Sequence, residues 1–125
     1  MRPLRIYIAG PYTAPTLGQR NRNIEEAQWH CALLIKAGHY PFCPHTMTAK
    51  FDDDYPEIGY EQYMKMYLEW LRFADAIYPL DGWMKSSGTT REMLLAQSMS
   101  LPVYDDHTKV PQVEGFPSMA ELLQR

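Results

Sequence analysis

At 125 residues, with 46% hydrophobic and 22% charged side chains, the chain has the mix of an ordinary folded domain, long enough to build a core without disulfide or metal staples. A formal net charge of −3 and a pI near 5.7 argue against a partner such as a nucleic-acid polymer, whose binders carry a basic excess. Two cysteines without CxxC spacing and four histidines without ligand spacing argue against a disulfide framework and a metal site.

The N-terminus, Met1 to Arg5, runs straight into a strand. With no apolar run of membrane-spanning length, this predicts a cytoplasmic protein without a signal peptide or membrane contact, its Cys31 and Cys43 reduced. The first strand is Leu4 to Ala9, ended by Gly10-Pro11. Residues 12 to 22 read as a polar loop. Asn23 then reads as a helix N-cap with Glu26 as its capping-box partner. The helix that follows puts Ile24, Ala27, Cys31, Leu34 and Ile35 on one face, and Gly38 stands at its C′ position. Tyr40 to Cys43 is the second strand, broken by Pro44. A long loop from Thr46 to Gly59 holds Asp52-Asp53-Asp54, and a Met- and Tyr-rich helix runs from Tyr60 to Phe73. The third strand is Ala76 to Leu80. A further helix carries Glu92, a fourth strand is Leu101 to Tyr104, and a short tail helix is capped by Ser118 with Glu121 at N3.

Alternation of strand and helix predicts an α/β fold: one domain over residues 1–125, a Rossmann-like (flavodoxin-like) parallel sheet with helices on both faces. Ligands of such sheets bind beyond the carboxyl ends of the strands. Those ends open onto Gly10 to Arg22, Pro44 to Asp54 and Asp81 to Gly88. In the last of these, Ser86-Ser87-Gly88-Thr89-Thr90-Arg91-Glu92 enters a helix. Small hydroxyl residues around a glycine at a helix start make an anion corner, because the first-turn N–H groups are free and the dipole favours negative charge. Glu92 in the first or second turn is expected to stay ionised, as a nucleophile must. The plainer alternative is that a serine caps the helix and Glu92 decorates its surface.

Ile6-Tyr7-Ile8-Ala9-Gly10-Pro11-Tyr12, Gly38-His39-Tyr40-Pro41 with Pro44-His45, Ala74-Asp75-Ala76-Ile77, and Gly82-Trp83 through Ser86-x-Gly88-x-x-x-Glu92 together resemble the nucleoside 2-deoxyribosyltransferase superfamily, from about residue 4 to residue 104. The resemblance is nearest to its small phage or bacterial members. It implies a glutamate nucleophile at C1′, Glu92, assisted by Tyr7 from the first strand. It also implies that Ser86 and Gly88, six and four residues before Glu92, hold a phosphate as in the monophosphate hydrolases. The transferases carry an aspartate at the Ser86 position, so its absence points to monophosphates and hydrolysis. The resemblance implies no cofactor, and a homodimer or higher homo-oligomer in which a neighbour closes each site. Characterised members carry a further aspartate eight residues before the Asp75 position; here it is Tyr67. Asp81, past the third strand, is the replacement candidate, against a plain turn role before Gly82.

The remaining candidates each have two readings. Gly10 lies at the first strand end, where a substrate can approach the backbone. Trp83 either stacks on a base or packs on the next helix. His45 either touches substrate or is a satisfied loop histidine. Arg20 and Arg22 either pair with a phosphate or stand in solvent. Asp52 to Asp54 resembles a metal-binding run, though lone acidic triplets are commonly solvated loop. The helix from Tyr60 to Phe73 reads as a core or dimer face. The expected function is an N-glycosidase acting on a (deoxy)nucleoside 5′-monophosphate, a small-molecule nucleotide. A non-catalytic nucleotide-sequestering protein and a deoxyribosyltransferase are the alternatives.

Overall fold

The computed structural model describes residues 2–125. Its elements in chain order are β1 (Arg5–Ala9), α1 (Leu17–Lys36), β2 (Tyr40–Phe42), α2 (Pro44–Met47), α3 (Phe51–Asp54), α4 (Tyr60–Leu71), β3 (Ala76–Pro79), α5 (Ser87–Ser98) and α6 (Met119–Leu122), with 3-10 turns at Trp83–Lys85 and His107–Lys109. The three strands form one sheet in the order β2-β1-β3. Both pairings are parallel, with Tyr7 opposite Phe42 on one side and Ile77 on the other.

Period-2 alternation along β1 divides the core. Ile6 and Ile8 pack with Ala27, Leu33 and Leu34 of α1, Tyr78 of β3 and Met119 of α6. Tyr7 and Ala9 point the other way, onto Leu71 of α4 and Met93 and Ala96 of α5. Helices therefore cover both faces, as the alternating pattern predicts. Asp75 ties the strand entries together: its Oδ2 accepts from the Arg5 backbone N–H at 2.8 Å, and its own N–H donates to Arg5 O at 2.7 Å.

Four local expectations change. The first helix starts at Leu17, capped by Thr16, whose side chain accepts from Gln19 N. Asn23 thus lies inside α1, where its amide donates to Tyr12 O at 3.2 Å. Glu26 bonds His30 and Arg125 rather than a capping box. Ile35 is 59% exposed, outside the core its spacing suggested. The loop after β2 is partly helical, because Pro44 supplies the preset φ of a first helical residue and starts α2. The fourth strand is reduced to a single parallel bridge between Val103 and Ile77. Pro102 cannot donate to a ladder, so pairing is limited to Ile77 N to Pro102 O and Tyr104 N to Ile77 O. Gly38 does follow the α1 C-cap with φ +87, and a side chain there would meet Phe116 at 2.8 Å.

Candidate active site

The chain leaves β3 through Gly82, whose φ of +81 turns it into the 3-10 segment and on to Ser86. Ser86 is extended (φ −105, ψ 120), and its side chain accepts from Thr89 N at 3.2 Å. It is therefore the N-cap of α5. The Ser87 and Gly88 N–H groups fall in the first turn, where no helical carbonyl is available to them. A side chain at Gly88 would stand 3.4 Å from Met64 Sδ and 3.5 Å from Tyr60 Oη of α4. These are ordinary contact distances, so α4 lies directly beside the helix N-terminus at this position.

Glu92 lies in the second turn of α5 and is 6% exposed. The Tyr7 hydroxyl, itself fully buried on the central strand, donates a hydrogen bond to Glu92 Oε2. Burial pushes the Glu92 carboxyl up to about 7, against the Tyr7 hydrogen bond and the nearby His45 ring, which favour its charge. The carboxyl is therefore poised near neutrality rather than firmly ionised, which corrects the expectation from its place near a helix start. Desolvation outweighs both the hydrogen bond and the ring.

Above this pair lies a cleft of about 930 Å³. It is lined by Glu92, Ser86, Gly88, Asp81, His45 and Gly10. Thus six of the residues singled out in the sequence meet in one cavity, with Tyr7 beneath it. Gly10 is also fixed by packing, since a side chain there would meet Leu80 Cβ at 2.8 Å. His45 is buried, and its Nε2 lies 2.9 Å from Pro11 O.

Two candidates are elsewhere. Trp83 does not line the cleft; it packs against the cluster around Tyr7, Ile77 and Met93. The 3-10 turn directs its ring to the core, so it offers no base-stacking surface there. Arg20 is buried and pairs with Asp53 at 2.9 Å and Asp52 at 3.3 Å. Its guanidinium is committed to these carboxylates, which leaves the phosphate role without it. The acidic run is accordingly a salt-bridge partner. Among the described residues no three His, Cys, Asp or Glu side chains are grouped to hold a metal ion.

The sequence reading missed much of the cleft wall. Tyr60 and Tyr63 line it, as do Thr48 and Lys85, beside Tyr12, Tyr67 and Thr89, which the sequence had already named. Tyr67 faces the cleft, with its hydroxyl bonded to Thr48. Three of these tyrosines recur in α4 at positions 60, 63 and 67, a helical spacing that signalled a shared face but not which cavity it walls. Among the described residues four buried side-chain atoms lack a hydrogen-bond partner: Arg20 Nε, His45 Nδ1, Tyr63 Oη and Thr89 Oγ1. Three of the four residues line the cleft. Buried polar groups are ordinarily satisfied, so the cleft wall has hydrogen-bonding capacity left for water or a ligand.

Comparison with known proteins agrees with this architecture. Residues 4–105 match the family model described as "Domain of unknown function (DUF4406)". A solved 2-deoxyribosyltransferase from the psychrotolerant bacterium Bacillus psychrosaccharolyticus has a similar fold, with a TM-score of 0.55 and 21% sequence identity over 79% of this chain and 69% of that one. A comparison with curated proteins found no significant match. The likeness of the solved enzyme extends to the Rossmann-like α/β scaffold predicted from the order of strands and helices.

Proposed function

The chain belongs to the DUF4406 family, and from that premise we propose that it is an N-glycosidase releasing the base of a (deoxy)nucleoside 5′-monophosphate. The observation that carries this reading is the Tyr7–Glu92 pair at the floor of a cleft whose rim is the Ser86-capped N-terminus of α5. One acid of tuned pKa lies beside an anion corner, which suits chemistry at the sugar of a phosphorylated nucleoside.

Cleavage of a glycosidic bond passes through a state with positive charge at C1′ and the ring oxygen. Ionised Glu92 stabilises that charge and attacks C1′. The C1′–N bond breaks, its electron pair leaves with the base nitrogen, and the base takes up a proton. Water then adds its oxygen to C1′ as the Glu92–C1′ bond breaks, releasing the sugar phosphate and the Glu92 carboxylate, and its surplus proton passes to solvent, balancing the one the base took up. Tyr7 holds the attacking carboxylate by donating its phenol hydrogen. The Ser86 hydroxyl and the Ser87 and Gly88 N–H groups receive the phosphate. Asp81, exposed on the cleft wall after β3, supplies the acceptor for the sugar hydroxyls in place of the carboxylate absent at Tyr67.

The test is incubation with matched nucleosides and 5′-monophosphates, with and without a second free base, followed by chromatography. Free base from monophosphates alone supports the reading. Base exchange would instead make the protein a transferase, the activity in the name of the solved neighbour. Binding without any release would make it a sequestering protein.

A further inference from the structure

The strand order sets the ends of the cleft. β1 is central, with β2 on one side and β3 on the other. The anion corner follows β3, whereas α2 and α3 follow β2. A nucleotide with its phosphate at Ser86 and its C1′ over Glu92 therefore extends its base toward the β2 side. On that side the cleft wall carries one fixed carboxylate, Asp52. The Tyr12 hydroxyl donates to Asp52 Oδ1 at 2.7 Å, and Arg20 donates to Oδ2 at 3.3 Å. Tyr12 is itself held, its hydroxyl accepting from Lys50 N at 2.7 Å. One partner on each oxygen leaves each with further acceptor capacity. Burial and the Asp52 hydrogen bond push the Tyr12 phenol up to about 12, so it remains a donor. Arg20 and Tyr12 outweigh burial and keep Asp52 below its ordinary range, so it remains an acceptor.

A second observation on the same side points to a ligand. His45, 96% buried at the start of α2, has an unpartnered Nδ1 and lines the cleft. Its Nε2 donates to the Pro11 carbonyl at 2.9 Å, and the neighbouring Cys43 side chain and this carbonyl hold the ring above its ordinary pKa range against burial. The acceptor at this end of the cleft is thus the Asp52 carboxylate.

We propose that Asp52 is the base-reading residue of this cleft, selecting nucleobases that present N–H donors on the edge remote from the sugar. Arg20 and Tyr12 are positioning residues that hold its carboxylate. The inference rests on the nucleotide reading above. It predicts that amino-bearing bases are preferred over a base of the same shape with no such donor, because a donor-free edge leaves the carboxylate facing an apolar group.

The test is calorimetric binding of adenosine, guanosine and cytidine 5′-monophosphates beside the monophosphates of unsubstituted purine and 2-pyrimidinone ribosides. At least one amino-bearing nucleotide should bind about tenfold or more tightly than its donor-free counterpart. Asp52→Asn should erase that ratio while leaving binding of inorganic phosphate unchanged. Tyr12→Phe, which keeps the carboxylate but releases one oxygen, should reduce the ratio partially, and circular dichroism checks that both variants fold. Equal binding of amino-bearing and donor-free nucleotides by the wild type would overturn the role of Asp52 and leave the nucleotide reading standing. A ratio unchanged in Asp52→Asn would do the same. Failure of every nucleotide to bind would overturn both.

Discussion

At the scale of single residues, the proposed chemistry rests on Glu92. Glu92→Gln keeps the shape and the acceptor oxygen for Tyr7 but cannot attack C1′. Base release should fall by several orders of magnitude with nucleotide binding retained; activity within about tenfold of wild type would remove Glu92 from the mechanism. The carboxyl titrates at about 7 because it is buried, and the attacking form is ionised. The wild-type kcat/KM should therefore rise with pH through about 7, and a profile flat from pH 5 to 9 would contradict the assignment. Asp81 belongs to the same scale. Asp81→Asn should cut base release sharply without weakening phosphate binding, and unchanged release would leave it a turn residue.

The elements decide what can reach Glu92. α5 starts at a serine cap and turns its first N–H groups toward the cleft, so it should favour a 5′-monophosphate over its nucleoside. One or two charge-assisted hydrogen bonds, at roughly 1.5–3 kcal/mol each, give at least about tenfold. Competition binding measures the ratio, and equal affinity would sink the phosphate role of this helix. Ser86→Ala should lower the ratio and cost about 1 kcal/mol of stability through the lost cap. The strands have their own fastening in Asp75. Arg5, through its side chain and backbone N–H, holds the Asp75 carboxyl down at about 2. Its contribution to stability is complete above an ordinary carboxyl value of 3.8 and is lost as pH falls toward 2. Asp75→Asn should flatten that part of the acid unfolding curve.

Across the whole molecule these two carboxyls act at opposite ends of the pH scale. Glu92 has a folded value of about 7 against 4.5 in the open chain. Its protonated form is favoured by the fold, so stability is complete below 4.5 and erodes as pH rises through 7. The buried charge costs on the order of 3 kcal/mol at alkaline pH. Glu92→Gln should thus be more stable than wild type at pH 8 and lose that advantage at pH 4, as read by urea unfolding at the two pH values. An advantage equal at both would show that desolvation does not set the Glu92 value.

Sequence by itself determined what depends on near neighbours. The β-rich run before Gly10-Pro11 marked the first strand, Gly38 and Ser118 marked helix ends, and Ser86 followed by Gly88 marked the start of α5. The helix-start motif and the family resemblance singled out Glu92, the resemblance alone named Tyr7, and Asp81 was named from its place past the third strand. It misjudged the start of α1, because Thr16 and Asn23 are both good caps and only the structure selects between them. Tertiary structure alone decided the rest. Trp83 turned inward, and Arg20 was committed to the acidic run. Tyr12 met Asp52 across 40 residues of chain, and burial lifted Glu92 to about 7. Each of these depends on which groups the parallel crossovers bring together and how much water they exclude, and neither is encoded in any local stretch of chain.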